Sequence, residues 1–225
     1  MDVRGKAMST QFKKRMAIIG SGDLGCQACY HAEASGQYVV TGFFDDTKAE
    51  NTRVQGRPVL GPVASVKRLF QESVFDELFI GVGYRHMAIR KILFERFVGF
   101  IPFGTIVGTG AIIDPEATIG SGVIIYPGCI VDLRANIGDN VLLNLGSIVS
   151  HDSQIGAHSF VSPGVNVAGF VRIGERCNLG IGTIIIDNLH LCADIQTGAG
   201  AVVTKSLSRP GLYIGVPARL TPVRP

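Results

Sequence analysis

From Val107 onward the aliphatic positions of the chain keep a single phase. Val107, Ile113, Ile119, Ile125, Val131, Ile137, Leu143, Val149, Ile155, Val161, Val167, Ile173, Leu179, Ile185, Leu191, Thr197 and Val203 stand six apart, and all but Thr197 are aliphatic. Small side chains recur four residues later, as at Ala111, Ala135, Ser147, Ser153 and Thr183, and glycine follows the aliphatic directly at Gly108, Gly120, Gly138, Gly156, Gly174, Gly180 and Gly198. A sandwich strand would instead alternate with period two, between turns of varying spacing. A six-residue period yields one short strand and one turn per repeat. Three repeats close a triangular coil, and the aliphatic residue of each side points into it. One coil buries nothing, so only a stack of coils is stable. Residues 104–225 therefore read as an all-β prism built from parallel coils.

The first half follows another pattern. Met16–Gly20 is a short apolar strand entering Gly20-Ser21-Gly22-Asp23-Leu24-Gly25, a literal G-x-G-x-x-G, and a helix is expected over Leu24–Ser35, stopped by Gly36. Tyr38–Phe44 is a second strand ending in Asp45-Asp46. Gly56–Gly61 reads as a turn-rich segment, Val63–Glu72 as a helix, Asp76–Val82 as a third buried strand ending at Gly83, and Arg85–Phe97 as an amphipathic helix. Three strand ends, near Gly22, Asp46 and Gly83, then meet at the carboxyl edge of a parallel sheet, where such folds bind ligands. Glycines after the first strand let a phosphate approach the helix N-terminus, and an acid about 20 residues on can hold a ribose or base edge. A dehydrogenase needs a second mononucleotide half, and the βα pattern stops near residue 100. The division is thus a basic N-terminal extension over 1–15, a Rossmann-like α/β domain over 16–103 and the prism over 104–225.

Composition sharpens this division. The chain has 225 residues, 46% of them hydrophobic and 17% charged, with a formal net charge of +3, so a nucleic-acid partner is not expected. Its charges crowd the first half, leaving the prism sparsely charged. No stretch resembles a membrane span, and the start lacks the apolar core of a secretory signal, which makes a cytoplasmic location the expectation. Five scattered cysteines do not suggest a disulfide framework. Cys26 and Cys29 form a C-x-x-C inside a helix, where small packing residues are expected.

With eighteen residues per coil, His151 stacks beneath Gly169, and Asn144-x6-His151-Asp152 stands out at one corner of an otherwise apolar or small-residue surface. Imidazole suits a general base for amide transfer from a thioester, and Asp152 can orient the ring. A glycine one coil above leaves a bare N–H for the thioester oxygen as it gains charge. No Ser or Cys adjoins His151 as a nucleophile, so direct attack is the simpler chemistry.

The repeat, the N-terminal βα unit with its acid pair, and the ending Gly215-Val216-Pro217-Ala218 resemble the left-handed β-helix acyltransferases, and among them the enzymes that modify nucleotide-linked amino sugars or sialic acid. The left hand of the coil comes from this resemblance, as do acetyl-CoA as co-substrate without a metal and a homotrimer with shared sites. The resemblance makes His151 the base, Asp152 the acid beside it and Asn144 a substrate-positioning amide. It makes Phe160, Gly169, Ile181 and Ala199 coenzyme contacts, and Gly22, Asp23, Leu24, Asp45, Asp46 and Gly83 nucleotide contacts. Two positions depart from the family: Phe160 stands where relatives often carry a histidine, and Asp23-Leu24 where many carry Gly-His. Lys205, Arg209 and Arg219 are cations near the end of the prism that can meet coenzyme phosphates. N-acetylation of a nucleotide-linked 4-amino-4,6-dideoxyhexose is the leading expectation, with O-acetylation of sialic acid or another sugar as the alternative. A zinc site from His151, His158 and His190 is disfavoured by their different repeat phases, and a decayed sugar-nucleotide binding module is the non-enzymatic option.

Overall fold

The structure, a computed structural model, describes residues 13–221. It contains an α/β domain followed by a parallel β-helix. In chain order the first domain comprises β1 (Lys14–Ile19), α1 (Asp23–Ala34), β2 (Tyr38–Phe44), β3 (Arg53–Val54), β4 (Arg57–Gly61), α2 (Val66–Gln71), β5 (Glu77–Ile80) and α3 (Met87–Phe97). Their sheet has the order β3-β4-β2-β1-β5, parallel except for the β3–β4 pair.

Two expectations change here. Residues 1–12 lie outside the described residues, but Lys14 and Arg15, expected in the extension, begin β1. Arg15 is paired with Asp76 at 2.6 Å and Lys14 with Glu77, so the strand is held by charges across the sheet where its apolar run has not yet begun. Gly56–Gly61, expected as a turn, contributes β4, whose buried Val59 lies beside Phe43 of β2. Hydrogen bonding to an existing sheet edge outweighs the turn preference of Gly and Pro here. The helices at Val63 and Tyr84 each begin with a short 3₁₀ turn.

Chain connections leave β1 in opposite directions, toward β2 on one side and back to β5 on the other. The carboxyl ends of β1 and β5 thus flank a topological switch point. Gly25 shows why the glycines there are needed: a Cβ on it would lie 2.0 Å from the Gly20 carbonyl oxygen, so helix α1 can cross the first turn only without a side chain.

The prism holds strands of two or three residues from Ile106–Val107 to Val202–Val203, arranged in three parallel sheets. Partners are eighteen residues apart, as in Ile130 with Ile148 and Leu142 with Phe160. The second residue of each strand in the central coils points inward, and Val131, Val149, Ile155, Val161 and Leu191 have no solvent exposure. Each such side chain contributes about 1.5–3 kcal/mol by leaving water. One turn column is entirely glycine (Gly110, Gly128, Gly146, Gly164, Gly182, Gly200) with φ between 64° and 84°, a left-handed conformation that costs glycine nothing. An antiparallel hairpin, Gly211–Ile214 with Arg219–Leu220, closes the stack.

The three outer faces differ in chemistry. On one, Ile106, Ile124, Leu142 and Phe160 are covered by the first domain, and the hydrophobic core runs unbroken from Met16 and Phe43 into the prism. The second carries Thr118, Asn136, Gln154, Arg172 and His190 toward solvent. The third presents Ile112, Ile130, Ile148, Asn166, Ile184 and Val202, an apolar column interrupted by one exposed asparagine, with Ile112 62% and Ile184 44% exposed. Among the described residues no helix is long and apolar enough to cross a membrane.

Candidate active site

A cleft of about 790 Å3 opens at the switch point between the first domain and the prism. Gly22, Asp23, Leu24, Asp45, Asp46 and Gly83 all line it, and so does Asn144. The three strand ends therefore converge on one cavity, floored by Tyr126 and Leu142 of the prism.

The two acids after β2 are partly occupied by the chain itself. Asp45 Oδ2 accepts hydrogen bonds from the N–H and hydroxyl of Ser21, and Oδ1 accepts them from the Thr47 N–H at 2.9 Å and hydroxyl at 2.6 Å. Burial opposes ionisation of Asp45, but these donors outweigh it and hold the carboxyl well below the usual carboxylate range. Lys48 donates to the Ser21 hydroxyl at 2.6 Å and carbonyl at 3.1 Å, completing a clamp on the glycine turn. Asp46 Oδ1 accepts the Val63 N–H at 2.8 Å, while the residue stays exposed. Asp45 thus shapes the turn, and Asp46 keeps an oxygen facing the cleft.

Phe160, expected beside the coenzyme, lines this same cleft. Its ring stacks on Tyr84 with centroids 4.9 Å apart and planes 12° from parallel, and it is buried. It cannot hydrogen-bond, and its position makes it a contact between prism and first domain.

His151 and Asp152 form a turn on the prism, away from that cleft. Asp152 adopts φ 57° and caps its corner through an N–H bond to the Leu133 carbonyl at 2.9 Å. His151 Nδ1 lies 3.0 Å from Asp152 Oδ2. Arg134, one coil below, grips the same carboxylate with two bonds, Nε to Oδ1 at 2.7 Å and a terminal nitrogen to Oδ2 at 2.9 Å. The Arg134 hydrogen bonds, then that of His151, bring Asp152 down to about 2. An ionised Asp152 accepting from Nδ1 fixes the tautomer in which Nε2 carries the free lone pair. The His151 side chain is 45% exposed, with the edge of Phe170 5.1 Å away between ring centroids.

Gly169 lies over the ring. A Cβ there would be 2.7 Å from His151 Cε1 and 2.8 Å from Nε2, so only glycine leaves the imidazole its place. Among the described residues the Gly169 N–H donates to no backbone carbonyl, whereas the next residue, Phe170, donates to His151 at 3.2 Å.

Asn144, expected at the same corner as His151, stands one side away. Seven residues span a turn and the strand Ile148–Val149, which is a whole face of the prism. Asn144 Oδ1 accepts the Leu145 N–H at 2.8 Å, steadying the neighbouring corner. That corner is the glycine column, and Ile181 and Ala199 stand on it one coil apart, joined by the Gly200 N–H to the Ile181 carbonyl at 2.8 Å. Ile181 is 60% exposed. His151 with Gly169 thus borders one side of the apolar face, and Ile181 with Ala199 and the cleft border the other. His158 occupies the third corner and His190 the polar face, so the three histidines do not converge.

Arg134 stands one eighteen-residue coil below Asp152, a signal the repeat spacing carries. In sequence Arg85 and His86 only open the expected Arg85–Phe97 helix and Tyr84 only precedes it, because nothing local says that the loop after β5 turns toward the prism. Lys48 carried no signal at all.

Residues 15–97 match the family described as PglD N-terminal domain. Over a 49-residue segment the chain is 41% identical to UDP-3-O-acylglucosamine N-acyltransferase of Delftia acidovorans, but it spans only 15% of the length of that curated relative. The acetyltransferase domain of PglB from Neisseria gonorrhoeae superposes with a TM-score of 0.85 at 26% identity, over 93% of this chain and 100% of that one. A histidine-to-asparagine variant of perosamine N-acetyltransferase from Caulobacter crescentus, solved with CoA and GDP-perosamine, superposes with a TM-score of 0.84 at 30% identity, over 92% of this chain and 96% of that one. With both domains matched along nearly their whole length, the chain belongs to the left-handed β-helix family of sugar N-acetyltransferases.

Proposed function

We propose that this chain transfers the acetyl group of acetyl-CoA to the amine of a nucleotide-linked amino sugar, a 4-amino-4,6-dideoxyhexose, with His151 as general base. The observation that carries this reading is the Arg134–Asp152–His151 chain lying under Gly169 at the rim of an exposed apolar face. The amine nitrogen attacks the thioester carbonyl carbon. As the C–N bond forms, Nε2 of His151 takes a proton from nitrogen, the Gly169 N–H receives the charge gathering on oxygen, and the proton passes to sulfur as the C–S bond breaks. Asp152 stays ionised throughout and stabilises the transient imidazolium. The nucleotide occupies the switch-point cleft, and the coenzyme runs along the glycine corner past Ile181 and Ala199.

Within one chain the base and the cleft lie on opposite sides of the apolar face. A threefold ring in which those faces turn toward the axis brings the His151 corner of one protomer against the glycine corner of the next, so a homotrimer completes three sites. The complexes of the Caulobacter relative with CoA and GDP-perosamine support the substrate class.

The test is release of free thiol from acetyl-CoA with UDP-, GDP- and dTDP-linked 4-amino sugars and with sialic acid, products being identified by mass. N-acetylation of one nucleotide-linked sugar is expected, and His151→Ala lowers its kcat/KM by about 10²–10⁴-fold. Turnover of sialic acid alone, or near-normal turnover by the variant, defeats the reading.

A further inference from the structure

The cleft has an uneven distribution of charge that the glycine motif does not explain. A nucleoside diphosphate sugar carries two negative charges, yet the glycine turn holds Asp23 in the first turn of α1, exposed and lining the cleft. That carboxylate takes for itself the favourable position at the helix start and repels an anion placed there. The turn's hydrogen-bonding groups are partly spent as well, since the Ser21 N–H and hydroxyl go to Asp45.

Opposite, the segment after β5 brings Arg85 and His86 to the cleft wall, the two cationic or protonatable side chains among its lining residues. Among the described residues neither has an acidic partner, while Asp45 and Asp46 are engaged with the chain as described above. The segment carrying them is fixed from three directions. The Gly81 N–H donates to the Ile19 carbonyl at 2.7 Å, buried Arg90 donates to the carbonyls of Ile80 and Val82, and Tyr84 is stacked on Phe160. A Cβ at Gly83 would meet nothing within 4 Å, so the backbone beside the pair is open.

We infer that Arg85 and His86 bind the diphosphate of the sugar nucleotide, which lies against the β5–α3 segment and away from the Asp23 turn. This rests on the reading of the cleft as a nucleotide-sugar site and adds the residues that recognise its charge. Two adjacent donors on a rigid support suit two neighbouring phosphates, and a guanidinium can take a pair of phosphate oxygens at once.

The experiment is calorimetric titration of the full chain with UDP, GDP and dTDP and with the corresponding monophosphates, at one fixed salt concentration. The wild-type protein is expected to bind at least one diphosphate tenfold more tightly than its monophosphate. Arg85→Gln combined with His86→Gln should erase that preference, Arg85→Lys should keep part of it, and Asp23→Asn should change it less than threefold. In the thiol assay the double variant should raise KM for the sugar nucleotide at least tenfold and leave KM for acetyl-CoA unchanged. A double variant that keeps the diphosphate preference overturns the inference while the nucleotide-sugar reading stands. A tenfold or greater gain in diphosphate affinity in Asp23→Asn, with the Arg85 and His86 variants unaffected, returns the diphosphate to the glycine turn. A wild-type protein that binds no nucleotide and acetylates no nucleotide-linked sugar removes both.

Discussion

Gly169 is the most exacting position on the prism, because its neighbour is the proposed general base and not merely packing. A methyl group placed there meets the His151 ring at 2.7–2.8 Å, and its φ is not in the left-handed region, so the backbone itself would accept alanine. Gly169→Ala is therefore expected to leave the melting temperature within about 2 °C and to lower kcat at least tenfold by displacing the imidazole. Thermal unfolding and steady-state rates on the same preparation check both halves. Arg134 acts one step further from the chemistry. Arg134→Gln should lower kcat by about three- to thirtyfold, with KM for either substrate little changed, since the residue positions Asp152 and touches no reactant. Rescue by Arg134→Lys should be incomplete, because an ammonium cannot reproduce the bidentate grip. At this scale the sequence was informative wherever the eighteen-residue spacing applied: it put Gly169 over His151, and the same arithmetic reaches Arg134. Asn144 was placed with His151 although their seven-residue offset is itself a step of one face, and periodicity is silent on the first domain's covering the face that carries Phe160.

Helix α3 is joined to the prism by a buried polar chain. Arg90 is fully buried, donates to the Asn140 side-chain oxygen at 2.7 Å, and is pushed down to about 9 by burial, so it remains charged at neutral pH. The Asn140 side-chain N–H2 donates in turn to Nδ1 of buried His158 at 3.1 Å, and Phe94 of α3 meets that ring edge-on. Burial, then the charge of Lys91, lowers the pKa of His158 from its ordinary 6.5, with Glu95, Glu175 and Asp139 acting in the other direction. The unfolded chain thus binds the proton more readily than the folded one. Stability is complete above about pH 6.5 and declines as the pH falls from there toward the folded value. The loss of melting temperature between pH 7.5 and 5.5 should be smaller in His158→Gln than in the wild-type protein, and equal losses would assign it to other groups. Arg90→Met, which leaves Asn140 and two carbonyls without their donor, is expected to cost about 1–3 kcal/mol in denaturant unfolding. Elements of this kind were legible only in outline. The helix was found from its apolar spacing, but a charged residue on it gives no sign of whether it faces water or a neighbour's amide. The strand at Arg57–Gly61 was hidden because its glycines and proline signal a turn until an adjacent edge is available.

For the whole molecule, the contrast between the three prism faces decides what it can assemble with. One face is already occupied, one is polar throughout, and one is mostly isoleucine, broken by Asn166 and partly open to water. Sedimentation should give a trimer. Ile184→Glu should shift it toward monomers and reduce turnover at least tenfold without unfolding the chain, because the base and the cleft then no longer meet. A monomeric wild-type protein with full activity would show that one chain suffices. The two-domain architecture was plain in the sequence because hexad and βα periodicities do not mix. The proposed sharing of a site between copies came from the family resemblance alone, since nothing in one chain's order of residues says what stands across a gap.

The unbroken phase of the prism also makes it a staircase of interchangeable steps. Removing one full storey of eighteen residues above Gly169 would lower the closing hairpin by about 4.8 Å and leave every remaining side chain on its own face. Removing six would turn everything downstream by a third of a revolution, sending Ile181 and Ala199 off the track proposed for the coenzyme while the interior stayed as oily as before. Length can therefore drift in such proteins only in whole storeys wherever function must survive, and the reach available to a bound carrier is set by how many of them a chain retains.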